Sequence, residues 1–310
     1  MKIAIYQLNQ LGDFLFSLPL LHSIKKNFPQ SSVTLLLPTW LKPLTQLTPF
    51  VDNIIERPKI GGVAFFREIR DHNFDWWISL SRSPQSYLSA KSSLAKRRTG
   101  FSSPPFSYFL TESIKQSGPF NINAVNSLCE FLELERESYD YRGLLSFSDD
   151  LQKKESDKWK DIDLHKTITI APGSSSRKTF KRRPKDQFAK LIDEFSEPDF
   201  TILLTGSKEE YELIESIKNL TKRKTAVNLA GKLSLTQLAY LLSKTRLLIC
   251  NDSGAMHLAS VFETPLIALF GPTSPARSGP YNKNARVIIG DRRLCEQFHL
   301  ELFTKTSVPN

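Results

Sequence analysis

Between Arg246 and Thr273 the chain spells out a strand, a loop, a short helix and a second strand. Arg246-Leu-Leu-Ile-Cys250 is an apolar run of strand length, rich in branched residues. Ala255 to Val261 carries an apolar helical pattern that starts straight after Ser253-Gly254, and Leu266 to Phe270 is again strand-like. The same alternation fills the rest of the chain. Strand-like runs occupy 2–8, 32–37, 51–55, 76–80, 167–171, 200–204 and 226–229, and helical patterns occupy 14–28, 41–47, 63–73, 187–195, 209–220 and 234–243. Strands that alternate with helices predict parallel sheets covered on both faces, with ligands at the carboxyl ends of the strands.

The chain is 310 residues long, more than one hydrophobic core usually serves. A polar, charge-dense stretch from Ser146 to Lys166 reads as a linker with one amphipathic helix, after which the alternation restarts. The expectation is two Rossmann-like domains, residues 1–155 and 156–310, with a cleft between them suited to two ligands. No internal repeat is strong enough in the residues alone.

Composition narrows the function. The three cysteines (Cys129, Cys250, Cys295) have no paired spacing, which argues against a zinc site or a disulfide framework and fits a reducing compartment. The five histidines form no metal-binding motif, so no metal is expected. Polar residues at Gln7, Asn9, Gln10 and Asp13 interrupt the amino-terminal apolar run, and no run approaches a membrane span; a soluble, cytoplasmic protein is expected. A net charge of +10 points to an anionic partner. Nucleic acid is set aside, because no helix-turn-helix, RNP or zinc-finger pattern accompanies that charge. The cations cluster at Lys91, Lys96, Arg97 and Arg98, and at Arg177, Lys178, Lys181, Arg182, Arg183 and Lys185. A solvated face is the commoner fate of such runs, but the second cluster directly follows a glycine turn.

Three loops could carry chemistry. Asp252 and Ser253 stand where a strand ends and a helix begins. They read either as a helix cap or as ligands, with Asp252 accepting from sugar hydroxyls and the helix start drawing phosphates. His257 sits one turn further on. Leu11-Gly12-Asp13 follows the first strand; Asp13 is either an N-cap or a general base that takes a proton from an acceptor hydroxyl. Ala171 to Pro184 follows the first strand of the second half. Its Ser174, Ser175 and Ser176 are hydroxyl donors, and its cations suit a leaving diphosphate that gains charge as the glycosidic bond breaks. Neither a P-loop nor a G-x-G-x-x-G motif is present. Gly231-Lys232 could line a base or ribose pocket.

These blocks resemble glycosyltransferase family 9, the ADP-heptose:lipopolysaccharide heptosyltransferases, over most of the chain. Leu11-Gly-Asp with Pro19-Leu-Leu and Asn27-Phe-Pro29 is similar to the family's amino-terminal block. Pro172-Gly173 with Lys181-Arg-Arg-Pro184 is similar to its phosphate loop, and Leu229 to Leu235 and Asn251 to Thr273 to its donor-binding half. The resemblance implies a GT-B α/β fold and an inverting, metal-independent transfer from a nucleotide-sugar, without a cofactor. It also implies Asp13 as base, Lys181 on the leaving phosphate and Asp252 on the donor sugar. Ser253, Gly254 and Ala255 would bind the diphosphate, with Gly12, Ser174, Ser175, Gly231 and His257 completing the site.

The sequence departs from the family in three places. Arg183 replaces a tryptophan, Ser79 to Gln85 lacks the usual Asp and Gly, and the stretch from Arg292 to Asn310 lacks the usual closing helix, so domain closure is expected to be altered. The expected partners are an ADP-linked donor and a glycolipid acceptor such as a lipopolysaccharide core. Peripheral contact with the cytoplasmic face of the inner membrane would account for the basic first half and its aromatics (Phe65, Phe66, Trp76, Trp77, Phe106, Tyr108, Phe109). The alternative is a degenerate member that binds nucleotide or anionic glycolipid without transfer.

Overall fold

The structure, a computed structural model, describes residues 1–116, 118–136, 140–174, 180–195, 200–222 and 225–290. Ser175, Ser176, Arg177, Lys178, Cys295 and the stretch from Arg292 to Asn310 lie outside the described residues. The chain forms two compact units, Met1–Leu144 and Leu145–Asn310.

In the first unit β1 (Lys2–Tyr6) leads into α1 (Leu11–Asn27), then β2 (Ser32–Leu37), a 3-10 segment (Thr39–Leu47) and β3 (Asn53–Glu56). There follow α2 (Val63–Asp71), β4 (Trp76–Ser79), α3 (Pro84–Ser92) and β5 (Arg97–Phe101). A 3-10 turn (Phe106–Phe109), β6 (Glu112–Ile114) and α4 (Ile122–Phe131) complete it. The six strands pair in parallel in the order β3-β2-β1-β4-β5-β6. The order reverses between β1 and β4, so their carboxyl ends open the crevice in which such sheets hold ligands. The loop into α1 leaves from this point. Burial on both faces explains why β1 and β4 read as unbroken apolar runs, with Ile3 to Tyr6 and Trp76 to Ile78 almost fully enclosed. Both indole N–H groups are satisfied inside, Trp76 donating to Thr99 and Trp77 to Ser79 at 2.9 Å each.

The second unit opens with α5 (Asp149–Ser156) and two short 3-10 turns, then β7 (Thr167–Ala171), α6 (Lys185–Glu194), β8 (Thr201–Leu204) and α7 (Tyr211–Leu220). It continues through β9 (Val227–Asn228), α8 (Leu235–Lys244), β10 (Leu247–Asn251), α9 (Gly254–Val261), β11 (Leu266–Phe270), α10 (Pro275–Ser278) and β12 (Ala285–Ile289). The strand order β12-β11-β10-β7-β8-β9 is the order of the first sheet repeated. The two units thus share one topology, a repeat that no residue pattern betrays. The switch point here lies between β7 and β10.

The polar stretch from Ser146 to Lys166 is not a bare linker. Its few apolar residues are packed: Phe147 lies 5.4 Å from the Tyr240 ring and 5.8 Å from Phe262, and Trp159 and Leu164 join Leu203 and Leu241 in a buried cluster. Burying side chains of this size contributes about 1.5–3 kcal/mol each. Of the cations at 91–98, Arg97 and Arg98 are structural, whereas Lys91 and Lys96 are exposed. Arg97 pairs with Glu112 and lies 4.1 Å over the Trp76 ring, and Arg98 donates to the carbonyls of Phe109 and Ala95.

Candidate active site

At the switch point of the second sheet, the loop after β7 meets the loop after β10. Asn251, fully buried at the end of β10, donates to the Pro172 carbonyl at 2.6 Å and accepts the Arg183 N–H at 3.4 Å, so one amide ties the two loops together. The adjacent Asp252 is 5% exposed and directs one carboxylate oxygen at three donors. Lys181 forms a close ion pair with it, Thr273 donates at 2.8 Å and Ser278 at 3.3 Å. Asp252 is therefore no helix cap. Ser253 occupies the N-cap position of α9, yet its side chain makes no cap bond, and among the described residues its hydroxyl is buried without a partner, as is that of Ser274. The first N–H groups of α9, beginning at Gly254 and Ala255, have no acceptor within the helix. The buried Ser253 hydroxyl and the helix-start amides, next to Asp252 and its partner Lys181, make a recess suited to phosphate oxygens.

Behind the recess, Arg182 holds the β7 loop. It donates to the Ser174 hydroxyl at 3.3 Å, to the Ser174 carbonyl at 2.9 Å and to Glu210 at 3.4 Å. Glu210 also accepts the Ser207 N–H at 2.9 Å, closing a capping box at the helix start after β8. Its carboxylate lies so near Gly173 that a β-carbon there would fall 2.0 Å from Oε1, so any side chain at this position would push Glu210 off Arg182 and Ser207. Gly231 has φ +69° and packs on Lys208, with its N–H on the Gly206 carbonyl at 3.0 Å. Its glycine identity follows from that left-handed turn, and Lys232 beside it is exposed.

His257, in the second turn of α9, is 5% exposed. Burial, reinforced by Lys181 and opposed by Asp252, lowers its pKa to about 4. The ring is therefore neutral at physiological pH. As pH falls below 6.5, the unfolded chain takes up a proton that the native ring refuses until about pH 4. The stability held by neutral His257 is complete above that window and is lost across it, roughly 3 kcal/mol in all. Urea unfolding of wild type and His257→Gln at neutral and acid pH checks this. The variant is expected to lose less stability on acidification, and equal losses would assign the acid sensitivity elsewhere.

In the first unit Asp13 is the third residue of α1 and half-buried, with Gln10, not Asp13, at the N-cap. Gly12 precedes it inside the helix. Arg57, from the loop after β3, secures the approach to this turn. Its guanidinium lies 4.6 Å over the Tyr6 ring and donates to the Tyr6 hydroxyl and the Gln7 carbonyl at 3.3 Å each, and to Asn9. The structure thus brings Lys181, Asp252, Ser253, Gly254, Ala255 and His257 together, and ties Ser174 to Arg182, the neighbour of Lys181. Asp13 and Gly12 belong to the other unit. Arg57, Asn251, Glu210, Thr273 and Ser278 were not singled out from sequence. Only Glu210 left a signal, the capping-box spacing Ser207-x-x-Glu210.

A sequence model described as glycosyltransferase family 9 (heptosyltransferase) matches residues 63–304. The chain belongs to this family. Among curated relatives, lipopolysaccharide heptosyltransferase 2 of Salmonella typhimurium is 27% identical, across 96% of this chain and 90% of that protein. Lipooligosaccharide heptosyltransferase 2 of Haemophilus ducreyi is 28% identical across 93% and 88%. The structure of Escherichia coli ADP-heptose lps heptosyltransferase II superposes with a TM-score of 0.79 at 24% identity, over 93% of this chain and 90% of that one. A glycosyltransferase of family 9 from Veillonella parvula gives 0.81 at 25% identity, over 96% and 87%. Two parallel, doubly wound sheets in one chain are the GT-B fold of these neighbours. Among the described residues, no three His, Cys, Asp or Glu side chains converge as a metal site would need, and no helix is long and apolar enough to cross a membrane.

Proposed function

We propose that this family 9 glycosyltransferase moves a heptose from an ADP-linked donor onto a lipopolysaccharide core or similar glycolipid acceptor, with inversion. The observation that carries the reading is the recess at the start of α9, where Lys181, Thr273 and Ser278 converge on Asp252 beside the buried Ser253 hydroxyl and the helix amides. A diphosphate leaving group gains negative charge as the glycosidic bond breaks. Lys181 and the helix-start amides attract that charge more in the transition state than in the ground state, which is the condition for acceleration. Asp252 takes the sugar hydroxyls, and Ser174, held by Arg182, takes a phosphate oxygen. Asp13 accepts the proton of the attacking acceptor hydroxyl. These groups carry the charge balance without a metal.

The relatives named for heptose transfer to lipopolysaccharide and lipooligosaccharide support the choice of sugar and acceptor. The expected result in a thermal-shift panel is stabilisation by ADP well beyond that by UDP or GDP, with stoichiometric release of ADP when ADP-heptose and acceptor are both supplied. Preference for UDP would defeat the donor assignment. ADP binding without release would leave a nucleotide-binding relative that has lost transfer.

A further inference from the structure

Ten Lys and Arg stand against four Asp and Glu between Arg57 and Gln116, a large share of the excess positive charge of the whole chain. The structure divides the aromatics of this stretch. Phe65, Trp76 and Trp77 are core, Phe66 and Phe109 are partly buried on it, and Phe106 and Tyr108 face solvent, Tyr108 at 87% exposure. Ile60 and Val63, at the entry to α2, are 86% and 76% exposed.

The elements that carry these apolar tips are linked through α3. Gln85 of α3 donates to the Pro58 carbonyl at 3.2 Å and fixes the Pro58–Gly62 loop beside that helix. On the outer face of α3, Pro84, Leu88 and Lys91 follow one another at helical spacing, all exposed. Lys91 lies 4.7 Å over the Phe109 ring, which joins α3 to the 3-10 turn that carries Tyr108. Exposed Lys59, Arg67 and Arg82 stand among them. The loops concerned follow β3, β4 and β5, so the surface rises from the sheet edge at which α1 begins with Asp13.

We infer that this surface seats the protein on an anionic lipid bilayer, with Ile60, Val63 and Tyr108 entering the interface and the surrounding cations meeting lipid phosphates. Solvent-facing branched and aromatic side chains ringed by Lys and Arg are the composition that partitions into a charged interface. Each Lys or Arg at such a surface raises partitioning about fivefold, and the apolar tips add to this. The inference rests on a glycolipid as the acceptor, because docking at this edge would bring a membrane-anchored headgroup to the Asp13 side.

Co-sedimentation with vesicles of phosphatidylethanolamine and phosphatidylglycerol, against vesicles of phosphatidylcholine, tests it. Wild type is expected on the anionic vesicles and to be released by high salt. The triple variant Ile60→Ser, Val63→Ser, Tyr108→Ser is expected to bind at least about tenfold more weakly. Leu220→Ser, an exposed apolar change in the second unit, is expected to bind like wild type. Equal binding to both vesicle types, or a triple variant that binds like wild type, overturns the inference. Transfer onto a soluble, delipidated core oligosaccharide separates this from the activity. Unchanged turnover of the triple variant there, with a loss only on vesicle-embedded acceptor, supports the docking role. Absence of transfer by wild type on either acceptor counts against the heptosyltransferase reading and leaves the vesicle result to decide the surface.

Discussion

Asp13→Asn is expected to lower the rate of transfer by roughly 10²–10⁴-fold while ADP binds as before. In a single displacement with inversion, the acceptor hydroxyl attacks from the face opposite the leaving diphosphate, so a carboxylate on the acceptor side must take its proton. Asp13 meets the requirements that one side chain can meet. It is half-buried, sits in the first turn of α1 where the helix favours a negative charge, and emerges at the β1/β4 switch point. Asparagine keeps its shape and removes its basicity, and the charge lost from the helix start costs only about 0.3–1 kcal/mol of stability. Initial rates with ADP-heptose and calorimetric titration of ADP separate the two effects. Wild-type turnover in the variant would remove Asp13 from the chemistry. A parallel loss of ADP affinity would make it structural.

The parts of the fold legible in the sequence were those where burial on both faces wrote an apolar run and glycine or proline ended it. β1, β4, β7 and the β10-α9-β11 unit are of this kind. α3 was hidden because Pro84 to Ser92 has no apolar period. Its helix rests on the Ser83 cap, proline at the first turn and one buried ring, Tyr87, whose hydroxyl donates to the Phe101 carbonyl at 2.7 Å. β5 was hidden because Arg97 and Arg98 read as a cationic patch; in the fold Trp76 and Glu112 hold Arg97, and the Phe109 and Ala95 carbonyls hold Arg98. In the site, Asp252 and Lys181 were visible because each stands at a loop beside a glycine turn. Thr273 and Ser278 were not, because they reach Asp252 from the loop after β11 and from the end of α10, and only the folded chain sets those distances.

Lys181→Ala is expected to weaken ADP binding and Asp252→Asn is not, although the two side chains are partners. In the structure they neutralise one another almost out of solvent, with side-chain exposures of 11% and 5%. A diphosphate that enters the recess must share the lysine with a resident carboxylate of its own sign. Removing the lysine deletes a charge-assisted bond to phosphate and should weaken ADP about 10- to 100-fold, with about a 10²–10³-fold loss in transfer, as for other groups that stabilise developing charge. Removing the carboxylate's charge leaves the lysine wholly to the phosphates, so ADP should bind as tightly as before or tighter. Transfer still falls, because the donor sugar loses the group that orients it. Breaking a buried pair also destabilises the fold, so binding is compared at equal folded fraction. Thr273 and Ser278 remain to satisfy Asp252 in the lysine variant, which limits that cost. If both variants weaken ADP alike, Asp252 serves only to hold Lys181 in place, and its proposed contact with the donor sugar falls.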